Sequence, residues 1–240
     1  MKTELFTQIG LDSGSLGVLG SIVHPLIEKG DYRGTVIKDG RDTSDFTITV
    51  NENGKPDLSI DLATISTNQV NTEDCCKPCE TRDQQFSVRP GGHVVFYASK
   101  GSQSYAAQLS QVNEKKQLFN SQLIGKDDLF AASILRPGKY KVTVNEKYEV
   151  GSLIVTYPPV NVKKAYIPDD PLKIEISEKT MSPEQAKIGP AQGLIFYPES
   201  DMRIVIKLIE PDDGGKHRSK SQNIRLRRYR EPKIRICNEN

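Results

Sequence analysis

Apolar positions recur in short alternating runs separated by glycine and proline, and two of these runs share one wording: VRPGGHVVFY at 88–97 and IGPAQGLIFY at 188–197. Val88, Pro90, Val94, Val95, Phe96 and Tyr97 align with Ile188, Pro190, Leu194, Ile195, Phe196 and Tyr197, so every aligned apolar position keeps its character. The pattern predicts a turn at Pro-Gly-Gly or Pro-Ala-Gln-Gly that feeds a strand buried for most of its length. YAAQLSQ (105–111) and RIVIKLIE (203–210) follow, and their period of two predicts a second strand in each copy.

A second phrase also returns. Gly30, Tyr32 and Val36 of IEKGDYRGTV match Gly138, Tyr140 and Val144 of LRPGKYKVTV at an offset of 108. Beyond the turn, Phe46, Ile48 and Val50 match Leu153, Val155 and Tyr157 at an offset of 107. Each phrase reads as a hairpin opened by glycine, with alternate residues facing a core. The terminal EPKIRICNEN resembles RPGKYKVTVNE after a one-residue gap, and DLSIDLAT (57–64) reads as a further strand. Only SQVNEKKQLFNSQL (110–123) carries a pattern compatible with a short helix.

These repeats predict an all-β protein with little helix, built as tandem β-sandwich units. The expected organisation is an N-terminal β unit at 1–70, a cysteine-containing connector at 71–84, a central sandwich at 85–157, a proline-rich linker at 158–170 and a C-terminal sandwich at 171–240. The order of turn, VVFY strand, LxPGxYxV hairpin and GxLxV closing strand resembles the cupredoxin-like β-sandwich and other Ig-like sandwiches. That resemblance implies a copper site of two His, a Cys and a Met, the last three on the loop after the PGxY strand. Here the loop after Tyr140, KVTVNEKYEVG, holds none of them, Cys237 falls one residue out of phase, and His93 sits inside the strand phrase. The scaffold resembles that family without its metal.

Composition agrees with a globular chain. Of 240 residues, 27% are charged and 36% hydrophobic, tryptophan is absent, and the 18 glycines and 14 prolines sit between Val-, Ile- and Tyr-rich runs. No window approaches the roughly 18 uninterrupted apolar residues of a membrane helix. The start, MKTELFTQIGLDSG, lacks a secretory apolar run, so a cytoplasmic location is the default expectation, with leaderless export as the other route.

The densest chemistry is DCCKPCE at 74–80. Cys75, Cys76 and Cys79, with Cys237, His24 or His93 as a fourth ligand, could supply tetrahedral zinc. The same cysteines could instead staple a polar connector as disulfides or stay as inert thiols, and Cys76 and Cys79 also have dithiol redox spacing. His24 and His93 lie in apolar strands, where hydrogen-bonded structural roles are expected, and His217 lies in a charged loop. Asp127-Asp128, Asp169-Asp170 and Asp212-Asp213 fall at turns, where Asp serves local hydrogen bonding. No nucleophile and base share a signature, so no enzyme is expected.

Charge is uneven. Residues 211–240 carry nine Lys or Arg against four acids, net +5, which leaves the preceding 210 residues at −3. Ile224, Leu226, Ile234 and Ile236 interleave with Arg225, Arg227, Arg228, Tyr229, Arg230, Lys233 and Arg235, which predicts a basic strand face. Water, the acidic surface of another copy, and nucleic acid are its candidate partners in that order. The expected function is a non-catalytic structural or assembly subunit working through protein contacts, as a homo-oligomer or in a larger assembly. The alternative is a metal-binding or redox accessory protein centred on the cysteines.

Overall fold

The structure is a computed structural model that describes residues 9–67, 84–101, 104–112, 117–158 and 165–212. It is predominantly β, with 65% strand, almost no helix and curled sheets. In chain order the described elements are β1 (Gly10–Asp12), β2 (Gly20–Leu26), β3 (Gly30–Lys38), β4 (Arg41–Asp61), α1 (Leu62–Thr67), β5 (Gln84–Tyr97), β6 (Tyr105–Gln111), β7 (Gln117–Asn120), β8 (Leu129–Ser133), β9 (Gly138–Val144), β10 (Tyr148–Val155), β11 (Leu172–Ile176), β12 (Met181–Ser182), β13 (Gln185–Ile188), β14 (Gly193–Pro198) and β15 (Ile204–Pro211).

A five-stranded sheet has the order β1-β15-β9-β10-β13, and a ten-stranded sheet runs β12-β11-β14-β8-β2-β5-β4-β3-β6-β7. Both sheets take strands from all across the described chain, so the division into tandem sandwiches at 70, 85, 157 and 171 is not visible as breaks in pairing. The central phrase GKYKVTV (β9) pairs with β15, and YAAQLSQ (β6) pairs with β3.

The registers are nevertheless repetitive. In the first half, β3 pairs antiparallel with β4 (Tyr32↔Ile48, Gly30↔Val50), and β4 then pairs parallel with β5 at Val50↔Val88. In the second half β9 pairs with β10 (Tyr140↔Leu153, Gly138↔Val155), and β10 pairs parallel with β13 at Val155↔Ile188. The two decamers then continue alike: Phe96 lies between Ile60 and Ile22, and Phe196 lies between Ile174 and Phe130. These registers set Leu153 opposite the place of Ile48 and Val155 opposite that of Val50, an offset of 105 rather than the 107 expected from sequence. The second hairpin is shorter at its tip. Asp39 and Gly40, both at positive φ, close the first hairpin in the geometry that two-residue turns favour, while Asn145 and Glu146 turn the second.

Pleat alternation explains the core. Tyr32, Phe46, Ile48, Ile60, Phe96, Phe130, Tyr140 and Phe196 are all buried in one continuous cluster. Each such side chain contributes about 1.5–3 kcal/mol when taken out of water. Tyr32 donates its hydroxyl hydrogen bond to Glu28 O at 2.7 Å and Tyr140 donates to Arg136 O at 2.8 Å, so both halves pin the corner entering the hairpin in the same way. A cross-strand pair is exchanged between them. Gly34 sits opposite Phe46, where a Cβ would overlap the ring, whereas Val142 sits opposite Gly151. At Gly34 the bare position is covered by the Phe46 ring, while at Gly151 it is the Met181 side chain and the Glu184 carbonyl that close on the glycine.

Two sequence expectations differ locally. DLSIDLAT is a strand only as far as Asp61, whose carboxylate accepts from Ala63 N at 3.1 Å and Thr64 Oγ1 at 2.7 Å and so starts α1. The helical pattern at 110–123 is instead the end of β6 and β7 within the described residues, because Phe119 is drawn into the core by strand pairing.

Substituting Gly34→Val is expected to cost about 1–3 kcal/mol through overpacking in urea denaturation, and the same substitution should cost less in a Phe46→Ala background, where the ring no longer overlaps the added side chain. Burial pushes the Tyr140 hydroxyl up to about 12, with the nearby Arg136 cation opposing. An unfolded tyrosine ionises near about 10, so the protonated folded form loses stability as pH rises from about 10 through about 12. Tyr140→Phe should flatten that part of a stability-against-pH curve.

Candidate functional site at the seam between the halves

The halves meet on backbone. β2 pairs antiparallel with β8 as Gly20↔Ala132, Ser21↔Ala131, Ile22↔Phe130 and Val23↔Leu129, a register symmetric about the Ile22–Phe130 pair. Phe130 lies 108 positions after Ile22, the same separation as Gly30 and Gly138, so the seam carries a local two-fold relation between equivalent strands.

The first strand of each half crosses that seam. β1 pairs with β15 of the second half (Leu11↔Ile206), and β7, which opens the second half, pairs with β6 of the first (Phe119↔Leu109). The same local chemistry anchors both. Asp12 Oδ1 accepts from Gly14 N at 2.8 Å and Asn120 Oδ1 accepts from Gln122 N at 3.0 Å, each a side-chain turn that redirects the chain. Ser13 and Ser121 then lie fully buried. Ser13 N donates to Ile204 O and Ser13 Oγ accepts from Ile204 N, both at 2.9 Å, while Ser121 N donates to Ala107 O at 2.9 Å and Ser121 Oγ accepts from Ala107 N at 2.8 Å. The backbone of Leu16 exchanges bonds with Tyr105, and that of Ile124 with Met202.

Side chains unique to one half lock each crossing. Arg203 donates from Nε to Asp12 Oδ1 at 2.9 Å and from Nη2 to Asp12 Oδ2 at 2.6 Å, and its Nη1 reaches Glu146 Oε1 at 2.9 Å. The hydrogen bond from Asp12 holds the guanidinium charged still more firmly than usual, against partial burial. On the other crossing, His24 Nδ1 is 2.6 Å from Asp128 Oδ1, Gly125 N donates to Asp128 Oδ2 at 2.7 Å, and the Phe119 ring lies 4.4 Å from the imidazole. Phe119 stacks in turn on Phe96 at 5.2 Å. Asp128 is 5% exposed, so its pairing is sheltered from water.

Of the residues singled out from sequence, Cys75, Cys76, Cys79 and Cys237, the basic residues Arg225, Arg227, Arg228, Tyr229, Arg230, Lys233 and Arg235, and His217 lie outside the described residues. His24 takes the hydrogen-bonded structural role expected of it, while the exposed His93 sits 3.4 Å from Asp57. Among the described residues no group of three or more His, Cys, Asp or Glu is placed to hold a metal ion, and no helix is long and apolar enough to cross a membrane. The seam residues Asp12, Ser13, Ser121 and Arg203 escaped the sequence reading, while Asp128 makes the local turn hydrogen bond expected of it and adds the unexpected contact with His24. A signal was present in LDSGSLG (11–17) and FNSQLIG (119–125), which share a short polar residue, serine and a closing glycine 108 positions apart. Comparison with protein-family models, curated proteins and solved structures finds no match to this chain.

Arg203→Ala should destabilise the fold by about 1–3 kcal/mol by leaving Asp12 without its two donors. In a double-mutant cycle with Asp12→Ala the losses should fall short of additive, as read by chemical denaturation.

Proposed function

We propose that the protein is a non-catalytic structural or assembly subunit made of two related sandwich-like halves, fused in one chain and working through protein–protein contacts. The observation that carries this reading is the reciprocal exchange of β1 and β7. Each half receives its edge strand from the other, so the pair behaves as one rigid block, an arrangement that otherwise joins separate subunits by swapping. The two corners closed by Tyr32 and Tyr140 support an Ig-like reading of the halves, since a tyrosine hydroxyl bonded to a backbone carbonyl a few residues upstream recurs in such sandwiches.

The reading also fits where side-chain chemistry has gone. The titratable groups at the seam are spent on each other: His24 on Asp128, Arg203 on Asp12 and Glu146. What the block offers to a partner is sheet edge and sheet face. Among the described residues β1, β13, β12 and β7 terminate their sheets, and Leu118 on β7 and Tyr148 on β10 are exposed. Edges and faces of this kind recruit further protein by strand addition or stacking.

Light-scattering mass of the full chain over a concentration series, at low and high salt, tests this reading. Association beyond the monomer is expected, and a monomer under every condition overturns self-assembly.

A further inference from the structure

The strands joined at the seam present an outer face built of two rows of residues. Across β4, β5, β2, β8, β14 and β11 the register lines up Asp61, Tyr97, Ser21, Ala131, Ile195 and Lys173 in one row. The adjacent row runs through Ser59, Val95, Val23 and Leu129 on one side, with Tyr197 beside Glu175 on the other. All alternate with the buried core residues, so they point away from the core. The apolar members are half-buried, not covered, among the described residues. The local two-fold at Ile22–Phe130 maps one row onto the other, Tyr97 onto Tyr197 and Val95 onto Ile195.

From this geometry we infer that a second copy of this chain stacks its own central sheet on this face. The inference rests on the assembly reading above and names its partner and surface. Three features select a second copy. The face can meet its own image across an in-plane two-fold axis, the isologous contact, and its local two-fold makes the two in-plane axes nearly equivalent. The charges also match. With the dimer axis along the strands Lys173 meets Asp61 of the second copy, and with the axis across them it meets Glu175, so either arrangement sets a cation against a carboxylate at the rim. Asp61 is reliably charged, because although burial works against it, hydrogen bonds from Ser99 and Thr64 hold its carboxyl below the ordinary range.

Size is the third feature. Six strands about 4.8 Å apart, with two outward residues about 6.8 Å apart along each, give a projected footprint of roughly 400 Å². Side-chain relief enlarges the accessible area, which places the contact below the ~800 Å² per partner of standard dimers, among the smaller and weaker ones. The apolar rows form the centre and the ionic residues the rim, the distribution that specific interfaces share. Two such faces would pack about 10 Å apart with strands offset by about 30°.

The test compares the full chain with Ile195→Glu at the centre of the face, Lys173→Glu at its rim and, as a control, Ile167→Glu at a position 82% exposed that lies outside both rows. Circular dichroism confirms the fold of each, and sedimentation equilibrium gives the dissociation constants. Wild type and Ile167→Glu should dimerise alike, Lys173→Glu should weaken dimerisation about tenfold, and Ile195→Glu should abolish it over the same concentrations. Folded Ile195→Glu and Lys173→Glu proteins that associate as wild type does overturn this face while leaving the assembly reading in place. A monomeric wild type overturns both.

Discussion

Everything in this fold depends on the backbone pairing of β2 with β8. A strand that pairs antiparallel with its own counterpart, in a register centred on Ile22 and Phe130, forces the two halves into a two-fold relation before any side chain is considered. The consequence is a shared sheet in which β5 and β14 flank the seam, each followed by a strand that pairs with it in parallel, β4 on one side and β11 on the other. Neither half owns that sheet. Parallel pairs need a crossover connection, and here the crossings lead back to the hairpins β3–β4 and β9–β10, which build the opposing walls of the core.

The same two-fold relation makes strand exchange geometrically cheap. β7 follows β6 after a short connection and pairs with it as a hairpin, which is the most local contact available. β1 is then left to complete β15, 191 residues from Asp12 to Arg203, and this contact bears the larger loop-closure cost. The strongest side-chain clamp stands at that point: a bidentate guanidinium–carboxylate pair beside a buried serine that satisfies the Ile204 amide. The nearer crossing has its own buried serine and the His24–Asp128 hydrogen bond, and adds aromatic packing, with Phe119 set between His24 and Phe96.

Legibility in the sequence followed the range of the interaction. Alternation and turn residues are local, so the strands at 88–97, 105–111, 138–144 and 203–210 could be read directly, and so could the likeness of the two decamers and of the Tyr32 and Tyr140 hairpins. The pairing of those strands could not. Period-two patterning says which face is buried but not which neighbour buries it, and a shift of two residues keeps every side chain on its face, which is how the closing strand was aligned at 107 instead of 105. Asp61 shows a second limit: its side chain can continue a strand pattern or cap a helix, and only Ser99, brought alongside by β5, decides the matter. The partner of His24 lies 104 residues away, beyond any spacing argument.

The departures from symmetry carry as much information as the repeat. His24 and Asp128 correspond at the 108 offset to Ala132 and Gly20, so the sheltered His–Asp hydrogen bond exists on one side of the seam only. Gly34 and Phe46 trade places with Val142 and Gly151, reversing which strand carries the side chain. Two interchangeable halves would pair in either sense and with any other copy, opening routes to mispairing and runaway exchange. A histidine that finds its carboxylate only in one arrangement, and a glycine that accepts an aromatic ring only from one strand, remove those alternatives through the cost of an unpaired buried charge or an overlap. The asymmetry therefore ties each opening strand to its proper sheet, and it also breaks the equivalence of the two in-plane axes by setting Ser59 against Lys173 and Asp61 against Glu175 at matching places on the outer face. A molecule whose halves are alike in backbone but unlike in charge can stack on a copy of itself about either in-plane axis, with Lys173 meeting a carboxylate and the other carboxylate meeting Ser59 in both.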